Sequence, residues 1–301
     1  MIPIEQNTEK QLQRLSAQRQ LYATAKNVFG WQVLLGGPIA VASALLVVTF
    51  PSLRGYAALW GILVSLSDVI LFTPWQKRLR EVAARVQELF DCDVLSLPWN
   101  ELKVGKRPDA ELVKEQAEKY RKWANRMPPL TNWYAPDVGD LPLYIGRIAC
   151  QRSNCWWDST QRRRYAVWVI GAVFAVFIFT LWLSFGNGFT LEDFVLKVAA
   201  PLSPAFILGI RQFSEQIEAA RRLDKFKDHA ELLWIDALNG VPESKITQRS
   251  RSLQDEIFEN RKRSPLVFET AYNCLRRDYE MQMNHGVAEL VSEAKQKLEL
   301  N

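Results

Sequence analysis

Two stretches of the chain break the usual alternation of apolar and polar positions. Residues 31–50 read WQVLLGGPIAVASALLVVTF and residues 166–185 read AVWVIGAVFAVFIFTLWLSF, each without Asp, Glu, Lys or Arg. A helix rises 1.5 Å per residue, so about 20 such residues cover roughly 30 Å of hydrocarbon. The first run begins too far in for a signal peptide and lacks a small-residue cleavage site. Each run is followed, after a short turn, by a weaker one. Residues 56–75 are apolar except for Asp68, and residues 189–210 open acidic and carry Lys197. Links this short demand an antiparallel return. The pattern therefore predicts an all-α integral membrane protein, with four transmembrane helices in two hairpins, 31–75 and 166–210, and helical cytoplasmic regions. The uninterrupted apolar part of the last span is 198–210, which leaves a re-entrant or interfacial segment as the alternative.

Helical periodicity governs the rest. The arm 1–30 places Leu15, Tyr22 and Phe29 seven apart, with Leu12 and Ala25 on the same side, an amphipathic helix leading into the first span. The central segment 76–165 opens with a helix whose stripe is Leu79, Val82, Val86, Leu89 and Phe90. A looped insert with Pro98, Gly105 and Pro108 follows, then a helix capped near Asp109 and a second loop, LTNWYAPDVGDLP. In 211–301 three or four amphipathic helices are expected. The first is stopped by Gly240 and Pro242, and later starts are read at Ser244 and at Ser264-Pro265.

Charge then sets an orientation. The net charge is +5, and Arg162-Arg163-Arg164 abuts the third span, whereas the turn after that span is acidic. Basic residues flanking spans favour the cytoplasm, so both termini and the central segment are placed there, in a bacterial inner membrane. The basic balance then reflects topology and anionic lipid rather than a nucleic-acid polymer. The four cysteines, Cys92, Cys150, Cys155 and Cys274, fall in those reducing parts.

The stretch RIACQRSNCWWDSTQRRRY, residues 147–165, has the look of a chemical site. Cys150 and Cys155 are four residues apart, and the chain holds only two histidines, so neither a zinc site nor a cysteine nucleophile with its base is indicated. Arg147, Gln151, Asn154, Asp158 and Arg162 instead form one polar helical stripe. The segment reads as a juxtamembrane helix on the inner leaflet, with Trp156 and Trp157 near the headgroups. No phosphate loop, Rossmann fingerprint, nucleophile elbow or metalloprotease helix occurs. No enzyme, metal or cofactor is expected.

Asp68 within a span needs a partner or water. Lys197, a water-filled path, or local satisfaction by Ser65, Ser67 or Thr73 are the options. Pro201 and Pro204 interrupt the fourth span, as a gate or as a static kink. Ser43, Ser65, Ser67, Gly36, Gly37 and Gly61 suit close helix packing. Arginine binds phosphate and aromatic rings stack bases, so the clusters Arg261-Lys262-Arg263 and Arg276-Arg277, with Trp133-Tyr134 and Trp156-Trp157, could serve a ligand. Arg152, Trp156, Trp157, Arg163, Arg261 and Arg263 are the candidate ligand contacts, with a solvated basic face as the plainer reading.

The stretches QNTEKQLQRLSAQRQLYATAK, VQELFDCDVLSLPWN, NWYAPDVGDLPL, RIACQRSNCWWDSTQRRRY and RKRSPLVFETAYNCLRR, taken in order from residue 6 to about 277, resemble the SMODS-associating four-transmembrane (S-4TM) effector family. That resemblance implies a pore-forming effector of bacterial anti-phage signalling. A cyclic oligonucleotide made by a partner synthase would open it and permeabilise the inner membrane. Four helices rarely enclose a pore alone, so a homo-oligomer is expected. The alternatives are a non-conducting membrane-anchored binding or scaffold protein and, less in keeping with its large helical regions, a small-solute transporter.

Overall fold

A computed structural model describes residues 1–126 and 129–299. Eight main helices occur among them, and no strand. They are α1 (Glu9–Gly36), α2 (Pro38–Thr49), α3 (Arg54–Val94), α4 (Ala110–Arg121), α5 (Leu143–Gly186), α6 (Leu191–Leu238), α7 (Glu243–Arg263) and α8 (Glu269–Leu298). Three of these, α3, α5 and α6, are long and apolar enough to cross a membrane. The apolar windows of all three lie almost wholly on the surface: Tyr56 is 73% exposed and Trp182 70%. An apolar surface this extensive marks a lipid or protein contact.

The segment 31–50 is divided. Helix α1 runs straight from the amphipathic arm to Gly36, the chain breaks at Gly37, and α2 resumes at Pro38. Proline has no N–H to donate and its ring crowds the preceding turn. Gly37 is needed at the break, because a Cβ there would stand 2.8 Å from the Val33 carbonyl oxygen.

The last apolar segment is part of one unbroken helix. Helix α6 is continuous from Leu191 to Leu238, with a π-turn at Val195–Ala199 directly before Pro201 and Pro204. The wider turn shifts the hydrogen-bond ladder just where two prolines cannot donate, so the helix carries on instead of stopping. Helices α5 and α6 pack on each other more extensively than any other pair after the turn 187–190. They approach closely enough that a Cβ at Gly209 would collide with Val173.

The expected leaflet-bound helix at 147–165 is different. It is the first half of α5, which continues straight into 166–186, and its polar stripe faces inward. Arg147 donates to the Leu95 carbonyl at 2.6 Å, and Gln151 exchanges hydrogen bonds with Ser250 and Gln254 of α7. Most of these polar groups thus find partners on other segments of the chain, where water on a leaflet would otherwise have to supply them. The apolar residues beside them, Ile145, Ile148 and Cys155, build one core with Phe90, Leu233, Ile246, Ile257 and Val287. Two helix starts also move. Glu243 begins α7 behind Pro242, and Ser264-Pro265 ends it, opening an extended link to Glu269.

Both chain ends join this body. Gln6 brackets the Tyr134 backbone with bonds of 2.7 and 3.1 Å, and Lys295 pairs with Asp140 at 2.7 Å. The amino-terminal arm, the central segment and the carboxy-terminal helix therefore pack at the same end of the apolar windows.

Candidate ligand cavity

Where α1, α5 and α6 leave the polar body, a cavity of about 460 Å³ opens between α1, the first half of α5, the loop 129–133, the link 264–268 and the start of α8. Ligand sites typically enclose roughly 300–1,000 Å³. Its wall carries five cations (Arg19, Lys26, Arg162, Arg261 and Arg276) against three carboxylates (Asp158, Glu269 and Glu280). Four aromatic residues, Tyr22, Trp133, Trp157 and Tyr272, line it as well. Planar rings beside guanidinium groups suit a ligand that has both phosphates and bases.

The local geometry follows from helical spacing. Arg19, Tyr22 and Lys26 stand three and four residues apart, so one face of α1 presents all three. Arg19 lies 3.0 Å from Glu269 and 4.3 Å from the centre of the Tyr272 ring, and Lys26 is 2.6 Å from the other oxygen of Glu269. Trp157 meets Tyr272 edge-on at 5.3 Å. Arg162 is fixed by Gln216 and the Pro265 carbonyl, both at 2.8 Å, and by Asp158 at 2.9 Å.

Titration follows from this arrangement. Burial lowers the Lys26 ammonium below its ordinary value, with Glu269 opposing and Arg19 assisting. Burial works to raise the Glu269 carboxyl, yet Lys26 and Arg19 bring it below the usual glutamate range. Burial pushes the Tyr22 hydroxyl up to about 12 and the Cys155 thiol up to about 12, so neither is a nucleophile at neutral pH. Among the described residues, no three His, Cys, Asp or Glu groups are placed to hold a metal.

Several wall atoms have no hydrogen-bond partner: Gln18 Oε1, Arg19 Nε, Trp133 Nε1, Gln161 Nε2 and Ser264 Oγ. Buried polar atoms are rarely left so. Water or a polar ligand in the cavity can take these bonds.

Of the six candidate ligand contacts, the fold brings Trp157 and Arg261 to the cavity. Trp156 packs edge-on against Tyr279 instead, Arg152 pairs with Glu231 at 3.0 Å, Arg163 pairs with Asp224, and Arg263 is a solvent-facing partner of Glu259. Arg276 and Trp133, from the other clusters named above, line it too, whereas Arg19, Lys26, Glu269 and Tyr272 were not among the candidates. They lie in segments whose helical pattern gives only an amphipathic face, and they converge through contacts some 250 residues apart in sequence, as between Arg19 and Glu269.

The span residues are arranged otherwise than a simple Asp68–Lys197 pair. Asp68 opens a π-turn, Asp68–Phe72, accepts from the Gln32 amide and from the Thr73 hydroxyl at 2.9 Å, and forms a loose ion pair with Arg211 at 3.6 Å. Gln76 completes the cluster through Gln32 at 2.7 Å. Lys197 lies toward the opposite end, where it pairs with Asp193 and covers the Phe189 ring at 5.2 Å. Height along the helices separates the two charges, and each has taken the partner at its own level. Pro201 and Pro204 meet Gly36, Ala40, Ser43 and Gly61 in a narrow crevice.

Comparison with known proteins adds to this geometry. A family model described as "SMODS-associating 4TM effector domain" matches residues 1–290. A curated protein of Bacillus cereus (strain VD146), named "Probable CBASS effector molecule", is 23% identical over 279 residues, 89% of this chain and 90% of its own length. No solved structure matches the chain.

Proposed function

The chain belongs to the SMODS-associating 4TM effector family, and from that premise we propose that it is a membrane effector of bacterial anti-phage signalling, opened by a cyclic oligonucleotide that binds in the cavity beneath its apolar helices. One observation carries this reading. The cavity wall combines five cations with four aromatic rings, and one side of it is formed by the bases of α1 and α5, two of the helices that would line a conducting path. The molecule would sit in the inner membrane with both termini in the cytoplasm, the segment 31–50 crossing as a fourth, kinked span. It permeabilises that membrane as a homo-oligomer, since four helices enclose too little space for a pore. A synthase acting in the same cell supplies the ligand. The chain does no chemistry of its own on this reading.

The test is membrane-potential recording in cells that express the protein with and without its nucleotide synthase. Depolarisation only when both are present is the expected outcome. A potential unchanged by either protein, with the nucleotide bound tightly, favours the non-conducting scaffold instead.

A further inference from the structure

The cavity's strongest anion site is already filled by the chain itself. Arg19 and Lys26, with side chains 11% and 14% exposed, hold the two oxygens of Glu269. Glu269 is the first residue of α8, a 30-residue helix whose N-terminus has no side-chain cap. Such an end attracts anions, and Glu269 satisfies that attraction from within. Nearby, Gln161 is 3% exposed and keeps its Nε2 donor without a partner. The wall is thus complete for an anion only once Glu269 has moved aside.

We propose that Glu269 stands in for a ligand phosphate, and that a phosphodiester displaces it from the Arg19–Lys26 pair and so releases α8 from α1. The inference rests on the cavity being the ligand site. A diester phosphate carries the same single negative charge as the carboxylate, so the exchange leaves no buried cation unpaired. Bases attached to that phosphate add stacking on Tyr272 and Trp157, which Glu269 cannot match. The released segment reaches the membrane helices through its neighbour. Phe268 stacks on Phe29 at 4.7 Å and meets Tyr165 edge-on at 6.4 Å, at the positions where α1 and α5 turn apolar. Moving Glu269 withdraws this ring from between the two helices.

The full-length protein in phosphatidylethanolamine–phosphatidylglycerol liposomes provides the test, by hydrogen exchange of the amides in 264–272 and by dye leakage, with and without cyclic di- and triadenylate. E269Q without nucleotide should exchange roughly tenfold faster there than the parent, a shift of about 1.4 kcal/mol in the closing equilibrium. R19Q cuts the same pair from the other side and should do likewise, while E269D should stay protected. Unchanged protection in both E269Q and R19Q overturns the latch, whatever the nucleotides do. Lost protection with no response of the parent to either nucleotide keeps the latch and counts instead against these two nucleotides as its key. Leakage that rises in E269Q together with exchange ties the latch to permeation. Raised exchange without leakage supports the latch and favours the non-conducting reading.

Discussion

Two buried charge clusters lie side by side in the polar body, and they are built differently. Around Glu88 and Asp91, both with fully buried side chains, every carboxylate oxygen is occupied. Arg251 at 2.6 Å and Gln254 at 2.9 Å serve Glu88. Tyr134 at 2.7 Å, Gln254 at 3.0 Å and Arg261 serve Asp91. Around Glu269 both oxygens are also taken, but the carboxylate is a third exposed and several neighbouring wall atoms go unpaired, against Arg251 Nε alone in the first cluster. A saturated buried network fixes one arrangement of its helices, because any rearrangement strands a charge. An unsaturated one beside open volume costs little to rearrange and offers bonds to a newcomer. The first cluster reads as framework and the second as site. Arg261 joins them, for it is bonded to Asp91 and also faces the cavity.

The largest effect is expected from breaking the framework. Asp91→Ala removes the acceptor of Arg261, Tyr134 and Gln254 at once and strands a buried guanidinium. Such losses cost about 3–5 kcal/mol. Thermal or urea unfolding of the detergent-solubilised protein should show a loss of that size. A loss below about 1 kcal/mol would mean that water reaches the cluster, and the contrast with the cavity would vanish.

A smaller and more selective effect is expected in the site. Trp157→Ala removes the ring that braces Tyr272 and offers a stacking face. Stacking on one aromatic residue is worth about 1–3 kcal/mol per base, so nucleotide affinity should fall roughly 5- to 150-fold, measured by calorimetry. Asp91→Ala should act mainly on stability and Trp157→Ala mainly on binding. Equal losses of both in both variants would show that the clusters are a single unit.

The fold was more legible in the sequence than this site, for physical reasons. An uncharged run of twenty residues reports its environment without help from distant parts of the chain. So the apolar segments, the loop 130–142 and the stop at Gly240 can be read locally. The polar stripe from Arg147 to Arg162 cannot. By itself it looks like a solvated face, and only Thr247, Ser250 and Gln254, about a hundred residues on, turn it into an interior one. The cavity has the same difficulty to a greater degree, since its anion site joins residues 19 and 26 to residue 269. Arginine and tryptophan next to each other in sequence suggested a ligand contact. Helical geometry sent Trp156 and Trp157 to different neighbours.

Arg152 gives the smallest effect and the sharpest use of that difference. It lies in the same motif as Trp157, five residues away, and sequence composition alone ranks the two together. In the fold its guanidinium makes two hydrogen bonds to Glu231, at 3.0 and 3.1 Å, away from the cavity wall. The pair is partly solvated, with side chains 24% and 40% exposed, and pairs of that kind contribute about 0–1 kcal/mol. Arg152→Ala should therefore leave nucleotide affinity within about twofold and stability nearly unchanged, in the calorimetric and unfolding measurements used for Trp157→Ala. If affinity instead fell as far as for Trp157→Ala, the ligand would have to reach the Arg152 face of α5. The cavity between α1 and α8 would then be a void in the framework rather than the place where the signal binds.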